Sequence, residues 1–242
     1  MIDLNSSSCF SDRVNWFVDR AMDARPDKKR DYLGVSAVGG HCERAVQYTA
    51  LAIQGFIEGK VFEPRVRRIF HRGHQAEDWC VDWMRKAGFL LVNKDNDGNQ
   101  FEVTFLDGYL RGHCDGIIAH FVGGESPVDL PALWECKCLG ARGWNGLKRD
   151  GVRKAYPAYH AQVQLYMYGL GLERCVFTAL NADTMEMHHE LVFADSEEAR
   201  RMLMRVERIR QAIEHRELLP RGAATETDFT CKFCDYKEMC WS

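Results

Sequence analysis

The stretch PALWECKCLG, residues 131–140, sets a carboxylate and an amine two positions apart in an otherwise apolar run. Leu133, Trp134, Cys136 and Cys138 all suit a buried strand. On a strand, residues i and i+2 point the same way, so Glu135 and Lys137 share a face. Two charges on one face of a mostly buried strand are costly unless they are paired or needed. Glu-x-Lys alone is a common arrangement, and a second copy stands at Glu58-Gly59-Lys60. The surroundings decide which copy carries chemistry.

Asp115 lies 20 residues before Glu135, in RGHCDGII, where a hairpin would bring it beside the WECKC strand. An Asp and a Glu meeting at strand ends suit a hard cation such as Mg²⁺ or Mn²⁺, which takes oxygen ligands. Such an ion polarises a phosphate and acidifies a bound water, and Lys137 would stabilise the negative charge that develops. Glu58-Gly59-Lys60 follows a helix end and has no upstream Asp of this kind. Downstream, AYPAYHAQVQLYMYGLG places Gln162 and Tyr166 at i and i+4 of one helix, on which Val163, Leu165 and Met167 need a core. Upstream, RGHQAEDW offers Glu77, with His74 three residues before it.

The remaining pattern reads as an α+β chain. Apolar spacing predicts helices over 11–24, over 35–55 with Gly55 as the stop, and from Pro64 through Ala87. QFEVTFLDGYLRGHCDGIIAHF predicts a hairpin around Asp107-Gly108. ALWECKCL, RCVFTALN and MHHELVF read as strands. Pro157 opens a helix to about Gly169, and Asp195 with Glu198 resembles a capping box opening a helix to about Glu217. The 147–154 segment reads as a connection.

With 242 residues, the chain fits one large domain with at most a small appendage. A hydrophobic share of 46% beside a charged share of 28% is that of a globular protein. No apolar run is long enough to span a bilayer, and the first residues lack a secretory leader's basic and apolar regions. The expected setting is the cytoplasm, that of a host if the protein is phage-encoded, with no membrane partner. A net charge of −3 excludes a uniformly basic nucleic-acid binder while leaving room for a local basic channel.

The succession GHQAED, GHCDGII, WECKC and QVQLY resembles the PD-(D/E)XK nuclease superfamily in its RecB-type branch, and is similar to the phage exonucleases. The likeness runs from about residue 36 to the C-terminus. It implies a restriction-endonuclease-like core, a central mixed sheet flanked by helices, with a helical lobe stapled by a metal cluster. Residues 1–35 would form an N-terminal helical segment and 36–242 the nuclease domain. The implied activity is a metal-dependent DNA exonuclease of recombination, repair or processing, with recombination or repair proteins as partners. Asp115, Glu135 and the backbone carbonyl of Cys136 would hold Mg²⁺ or Mn²⁺. Lys137 would be the catalytic lysine, Gln162 would support the site, and Tyr166 would approach the DNA. RecB-type members carry a His four residues after the motif's Gly. Here Gly73 is followed at that position by Glu77, so Glu77 is expected as a direct or water-mediated ligand, with His74 as the alternative.

Of ten cysteines, Cys9, Cys80, Cys114, Cys136, Cys138 and Cys175 lie in apolar or strand-like surroundings. Cys231, Cys234 and Cys240 form C-x2-C-x5-C, three thiolates where a tetrahedral site takes four. Cys42, at a polar, glycine-flanked helix start, is the candidate fourth. Spacing leaves zinc and a 4Fe–4S cluster both open. Bracketing this core, the four cysteines look like those of iron–sulfur nucleases such as the CRISPR-associated RecB-like exonucleases, and the likeness implies a 4Fe–4S cluster. It would join segments about 190 residues apart, a closure worth several kcal/mol in the chain-entropy picture.

For gripping DNA, the nearest cations are Arg142, Lys148, Arg149, Arg153 and Lys154, between the Glu-x-Lys strand and the Gln162 helix. Arg65, Arg67 and Arg68 are the competing set. Two other function classes fit the same sequence: a catalytically silent DNA-binding or assembly module of nuclease fold, and a zinc-stapled DNA-binding protein.

Overall fold

The computed structural model describes residues 7–23 and 30–242, with side chains in the first stretch from Phe10 onward. The side chain of Cys9 and most of the charged segment 24–31 therefore lie outside the described residues. Helices α1 (Ser7–Asp23), α2 (Val35–Val38), α3 (Glu43–Ile53) and α4 (Pro64–Lys86) come first, with a two-residue strand β1 (Leu33–Gly34) ahead of α2. Then follow β2 (Phe89–Val92), β3 (Glu102–Phe105), β4 (Leu110–His113), β5 (Gly116–Phe121) and β6 (Ala132–Leu139). Helices α5 (Ala141–Ala155) and α6 (Pro157–Leu170) lead to β7 (Arg174–Asn181), β8 (Met187–Phe193) and α7 (Ser196–Glu214). Two short helices, α8 (Phe229–Lys232) and α9 (Lys237–Trp241), close the chain.

The strands form a five-stranded sheet, β2-β5-β6-β7-β8, and a three-stranded sheet, β1-β4-β3. In the larger sheet only β6 and β7 run parallel, joined through α5 and α6. The expected mixed sheet flanked by helices is therefore the architecture found. Odd and even positions of β6 divide the core in two. Trp134 and Cys136 pack with Ala76, Cys80 and Val81 of α4. Leu133 and Leu139 face the other way, into a larger core with Val163 and Leu165 of α6 and Phe177 of β7.

Local chemistry explains most boundaries. Pro64 and Pro157 occupy the first turns of α4 and α6, where a missing N–H goes unnoticed. Gly171, at φ 67, ends α6 in a left-handed cap. Asp195 caps α7 by accepting from the Glu198 N–H. The Glu198 carboxylate does not close the box. It meets His160 Nδ1 at 3.0 Å instead, and the Asp195 N–H donates to Gln164 Oε1 at 2.7 Å.

Three expectations need correction, and one strand adds to them. The helix expected over 35–55 is broken at Gly39–Cys42, because α2 presses on α6: a Cβ on Gly39 would stand 2.5 Å from Ala158 Cα. The hairpin around Asp107-Gly108 forms as β3–β4, but GIIAHF leaves it as β5 of the other sheet. The 147–154 connection is helical, part of α5, kinked at Gly151 where φ is 73. Strand β2 was not anticipated; its four residues pair with β5 behind a tight turn at Gly88.

Replacing Gly39 by Ala should lower stability by about 1–3 kcal/mol, since the added methyl meets backbone that cannot turn aside. Urea unfolding followed by tryptophan fluorescence should show a lower midpoint with an unchanged slope.

Candidate active site

The centre of the site is Glu135, wholly buried in the middle of β6. One oxygen, Oε1, accepts from Lys137 Nζ at 2.5 Å and from Gln162 Nε2 at 2.9 Å. The other, Oε2, is buried without a partner. An orphaned carboxylate oxygen in a protein interior needs an explanation, and an ion is one of the standard ones. The face-sharing of Glu135 and Lys137 expected from their spacing is therefore realised as an ion pair beside helix α6, with Glu135 fully and Lys137 partly buried.

Asp115 reaches this point from the bend between the two sheets. Strand β5 begins at Gly116, opposite Trp134, so the Cys136 N–H lies beyond its end. The Asp115 carboxylate takes that N–H, accepting at 2.8 Å through Oδ2. Glu77 comes from α4, on the turn before Cys80. Burial lifts all three carboxyls, and mutual repulsion adds to it for Glu77 and Glu135. Burial first, then the Asp115 charge, pushes Glu135 up to about 8. The same two causes push Glu77 up to about 7, against the pull of Lys137. Asp115 is raised by burial, against the pull of Lys137, the Cys136 N–H and His74. Lys137 is raised despite its burial, held charged by Glu135 and Asp115.

Such a donor set fits a small hard cation. Two carboxylates with water completing the shell suffice for Mg²⁺, and Oε2 of Glu135 has nothing else to bind. Asp115 and Glu135 would hold the ion, with the Cys136 carbonyl beside them. Among the described residues no three His, Cys, Asp or Glu side chains converge as a ready-made metal cage. His74 is exposed, one turn from Glu77 along α4.

One residue differs from expectation. Tyr166 does not face solvent: it is 3% exposed, and its hydroxyl accepts from Gln162 Nε2 at 3.1 Å. It braces Gln162 from behind, because α6 is buried almost all round instead of exposing a polar side. The aromatic that does reach the site is Tyr159, partly exposed, whose ring lies 5.3 Å from Lys137 Nζ. Its place three residues before Gln162 was the signal in the sequence. The decoy pair is pulled elsewhere, Lys60 bonding Asp235 at 2.7 Å.

The five cations downstream of β6 are exposed on α5, several of them occupied. Arg149 and Lys154 pair with Asp150, Arg153 with Glu198, and Lys148 sits 4.9 Å above the Trp144 ring. At the start of α4, Arg68 pairs with Asp19, and Arg67 with Asp23 at 4.0 Å.

Away from this site, Cys42, Cys231, Cys234 and Cys240 line one partly enclosed cavity. Cys42 is the N-cap of α3. Gly222 lies so close that a Cβ there would stand 2.9 Å from the Cys42 sulfur. Arg44 Nη1 donates to Cys240 Sγ at 3.9 Å. Burial raises the Cys234 thiol, with the charges of Cys42 and Cys231 adding to it. Cys80, Cys114, Cys136 and Cys175 are buried, as their apolar surroundings imply.

No family model and no curated protein matches the chain. Solved structures do. An alkaline exonuclease from Laribacter hongkongensis, LHK-Exo, is 15% identical, with a TM-score of 0.51 over 83% of this chain and 93% of its own. The same protein in complex with dAMP aligns over 84% and 95%, again at 0.51. SSO0001 is 14% identical, with a TM-score of 0.50 over 94% and 96%. The chain thus shares the fold of these proteins along most of its length. No helix among the described residues is long and apolar enough to cross a membrane.

A carboxyl raised by folding binds its proton more tightly in the native state. Native protein then holds more protons than unfolded protein between about pH 4.5 and 8, and stability falls as pH rises through that window. In metal-free protein, Glu135→Gln should remove the Glu135 part of this slope, the rest staying with Glu77 and Asp115. Thermal unfolding in EDTA should show the variant gaining on wild type at pH 8 and the gap closing near pH 4.5.

Proposed function

We propose that this protein is a divalent-cation-dependent deoxyribonuclease of exonuclease type, acting in DNA recombination, repair or processing. The observation that carries the reading is the buried Glu135 with its free Oε2, set beside Asp115 and tied to Lys137. A DNA-binding module of the same fold has no use for three carboxyls driven together against their own repulsion. The shared fold with an alkaline exonuclease supports the same conclusion.

The bound cation would polarise the scissile phosphate and acidify a water. Asp115 and Glu135 would hold it and supply the charge that makes a cation welcome. Gln162 fixes the Glu135 carboxylate through Oε1, leaving the buried Oε2 without a hydrogen-bond partner. Lys137 carries its ammonium to where the phosphate oxygen gains negative charge. Glu77 accepts a proton from the attacking water or orders that water, a role suited to a carboxyl near pH 7. The exposed cations of α5 hold the phosphate backbone, and a strand enters along that helix. Asp115→Ala and Glu135→Ala should each lower digestion of end-labelled DNA in Mg²⁺ or Mn²⁺ by at least about a thousandfold, on the scale of losing a key electrostatic group. Circular dichroism should show the fold retained. Digestion by the Glu135 variant at the wild-type rate would sink the assignment.

For the cysteine cavity, the reading is a 4Fe–4S cluster on Cys42, Cys231, Cys234 and Cys240. These four cysteines line one cavity of the fold. Arg221 and Lys237 also line it, with no carboxylate, which suits an anionic cluster. Protein purified without oxygen should be brown, with iron and sulfide near four per chain for this cluster type, and broad absorption near ~400 nm. Cys234→Ser should bleach it. Stoichiometric zinc without iron would overturn the cluster and leave the nuclease reading in place.

A further inference from the structure

Besides the nearby Asp115 charge, two neighbours in direct contact stabilise the Lys137 ammonium. One is Glu135, at 2.5 Å. The other is the face of Tyr159, whose ring centre lies 5.3 Å from Nζ, within the range of a cation–π contact. The ring is wedged in place. It stacks on Tyr156 at 5.0 Å with planes 20° apart, and lies 6.3 Å from Phe177 at 29°. Phe177 is fully buried and sits directly across the β6–β7 ladder from Glu135. At the other end of the stack, the Tyr156 hydroxyl lies against α5, where a Cβ on Gly143 would come within 2.3 Å of it. A continuous aromatic wall therefore runs from the basic helix α5 to the amine of the site.

The two neighbours respond differently to the reaction. Once Glu135 shares its charge with a divalent cation, its hold on Lys137 weakens and the cation itself repels the ammonium. The ring face loses nothing, because its attraction comes from a quadrupole that does not bind the metal. We infer that Tyr159 is a positioning residue of the proposed nuclease reaction: its ring face holds the Lys137 ammonium against the scissile phosphate when Glu135 is engaged by the cation. The role belongs to the ring and not to the hydroxyl. It rests on the nuclease reading above and adds to it a residue outside the acid set.

The test compares Tyr159→Phe and Tyr159→Leu with wild type in steady-state digestion of end-labelled DNA with Mg²⁺. The Leu variant should lose roughly tenfold in kcat with KM changed by less than about twofold, the pattern of a lost transition-state contact. The Phe variant should keep nearly full kcat. A second measurement needs no activity: the ε-methylene protons of Lys137, followed by NMR in selectively labelled protein, should be shifted upfield by the ring. The shift should persist in the Phe variant and vanish in the Leu variant, while the remaining spectrum reports that the fold is intact. Unchanged kcat in the Leu variant, a loss confined to KM, a Phe variant as impaired as Leu, or an unshifted Lys137 signal in wild type would each overturn the inference. Wild-type protein inert on DNA would bring down the nuclease reading together with it, whereas active wild type with an unaffected Leu variant brings down this inference alone.

Discussion

Glu135 carries its carboxylate to a depth water does not reach, and moving an ion there costs several kcal/mol even after relaxation. The surrounding elements are arranged to meet that cost in part. Strand β6 supplies Lys137 two positions on, α6 supplies Gln162, and Tyr166 one turn further braces Gln162. Because both donors go to Oε1, one oxygen is satisfied twice and the other not at all. Asp115 adds its own repulsion to the same spot. The region is thus held short of electrostatic balance by the fold around it, and a small cation would restore the balance.

The fold reaches this state by changing sheets at Cys114–Asp115. If β4 ran on into β5 without a break, Asp115 would be a ladder residue, and its side chain would point along one face or the other. Ending one sheet at His113 and starting another at Gly116 frees it to turn toward the Cys136 N–H. Gly112 and Gly116 permit this bend. Cβ atoms there would stand 2.6 Å from the Tyr166 ring and 2.9 Å from Leu91 Cδ1. Small residues on both sides of the acid are part of how it is aimed.

Much of this was legible beforehand because it rests on short-range chemistry. The spacing of Glu135 and Lys137, the prolines opening α4 and α6, and the Asp195 cap each act within a turn or two of chain, and each took its expected place. The misreadings have another origin. The α2–α3 break depends on Ala158, more than a hundred residues away, and no local pattern encodes that contact. Helix α5, rich in Gly, Arg and Lys, looks like a loop by composition and is helical because Trp144, Leu147 and Val152 find a core. Tyr166 followed the same logic: the polar residues of α6 suggested a wet face, yet Gln162, Gln164 and His160 are buried with hydrogen-bond partners from neighbouring elements. The role of Tyr159 depends on which ring lies under which amine, and spacing alone leaves that open.

The parallel β6–β7 pair has a consequence for the chain as it is made. Their paired residues lie about 40 positions apart, so at ~5–20 residues per second β7 emerges some two to eight seconds after β6. Strand β5 covers β6 only as far as Trp134. For that interval the stretch from Glu135 to Leu139 is an unpaired edge, apolar on both sides of its charges, of the kind that recruits strands from other chains. Glu135 and Lys137 are what a protein would place there to discourage such pairing. The same two side chains that prepare the site in the finished molecule thus guard its most exposed strand during synthesis, and an apolar pair at these positions would leave the nascent chain open to aggregation.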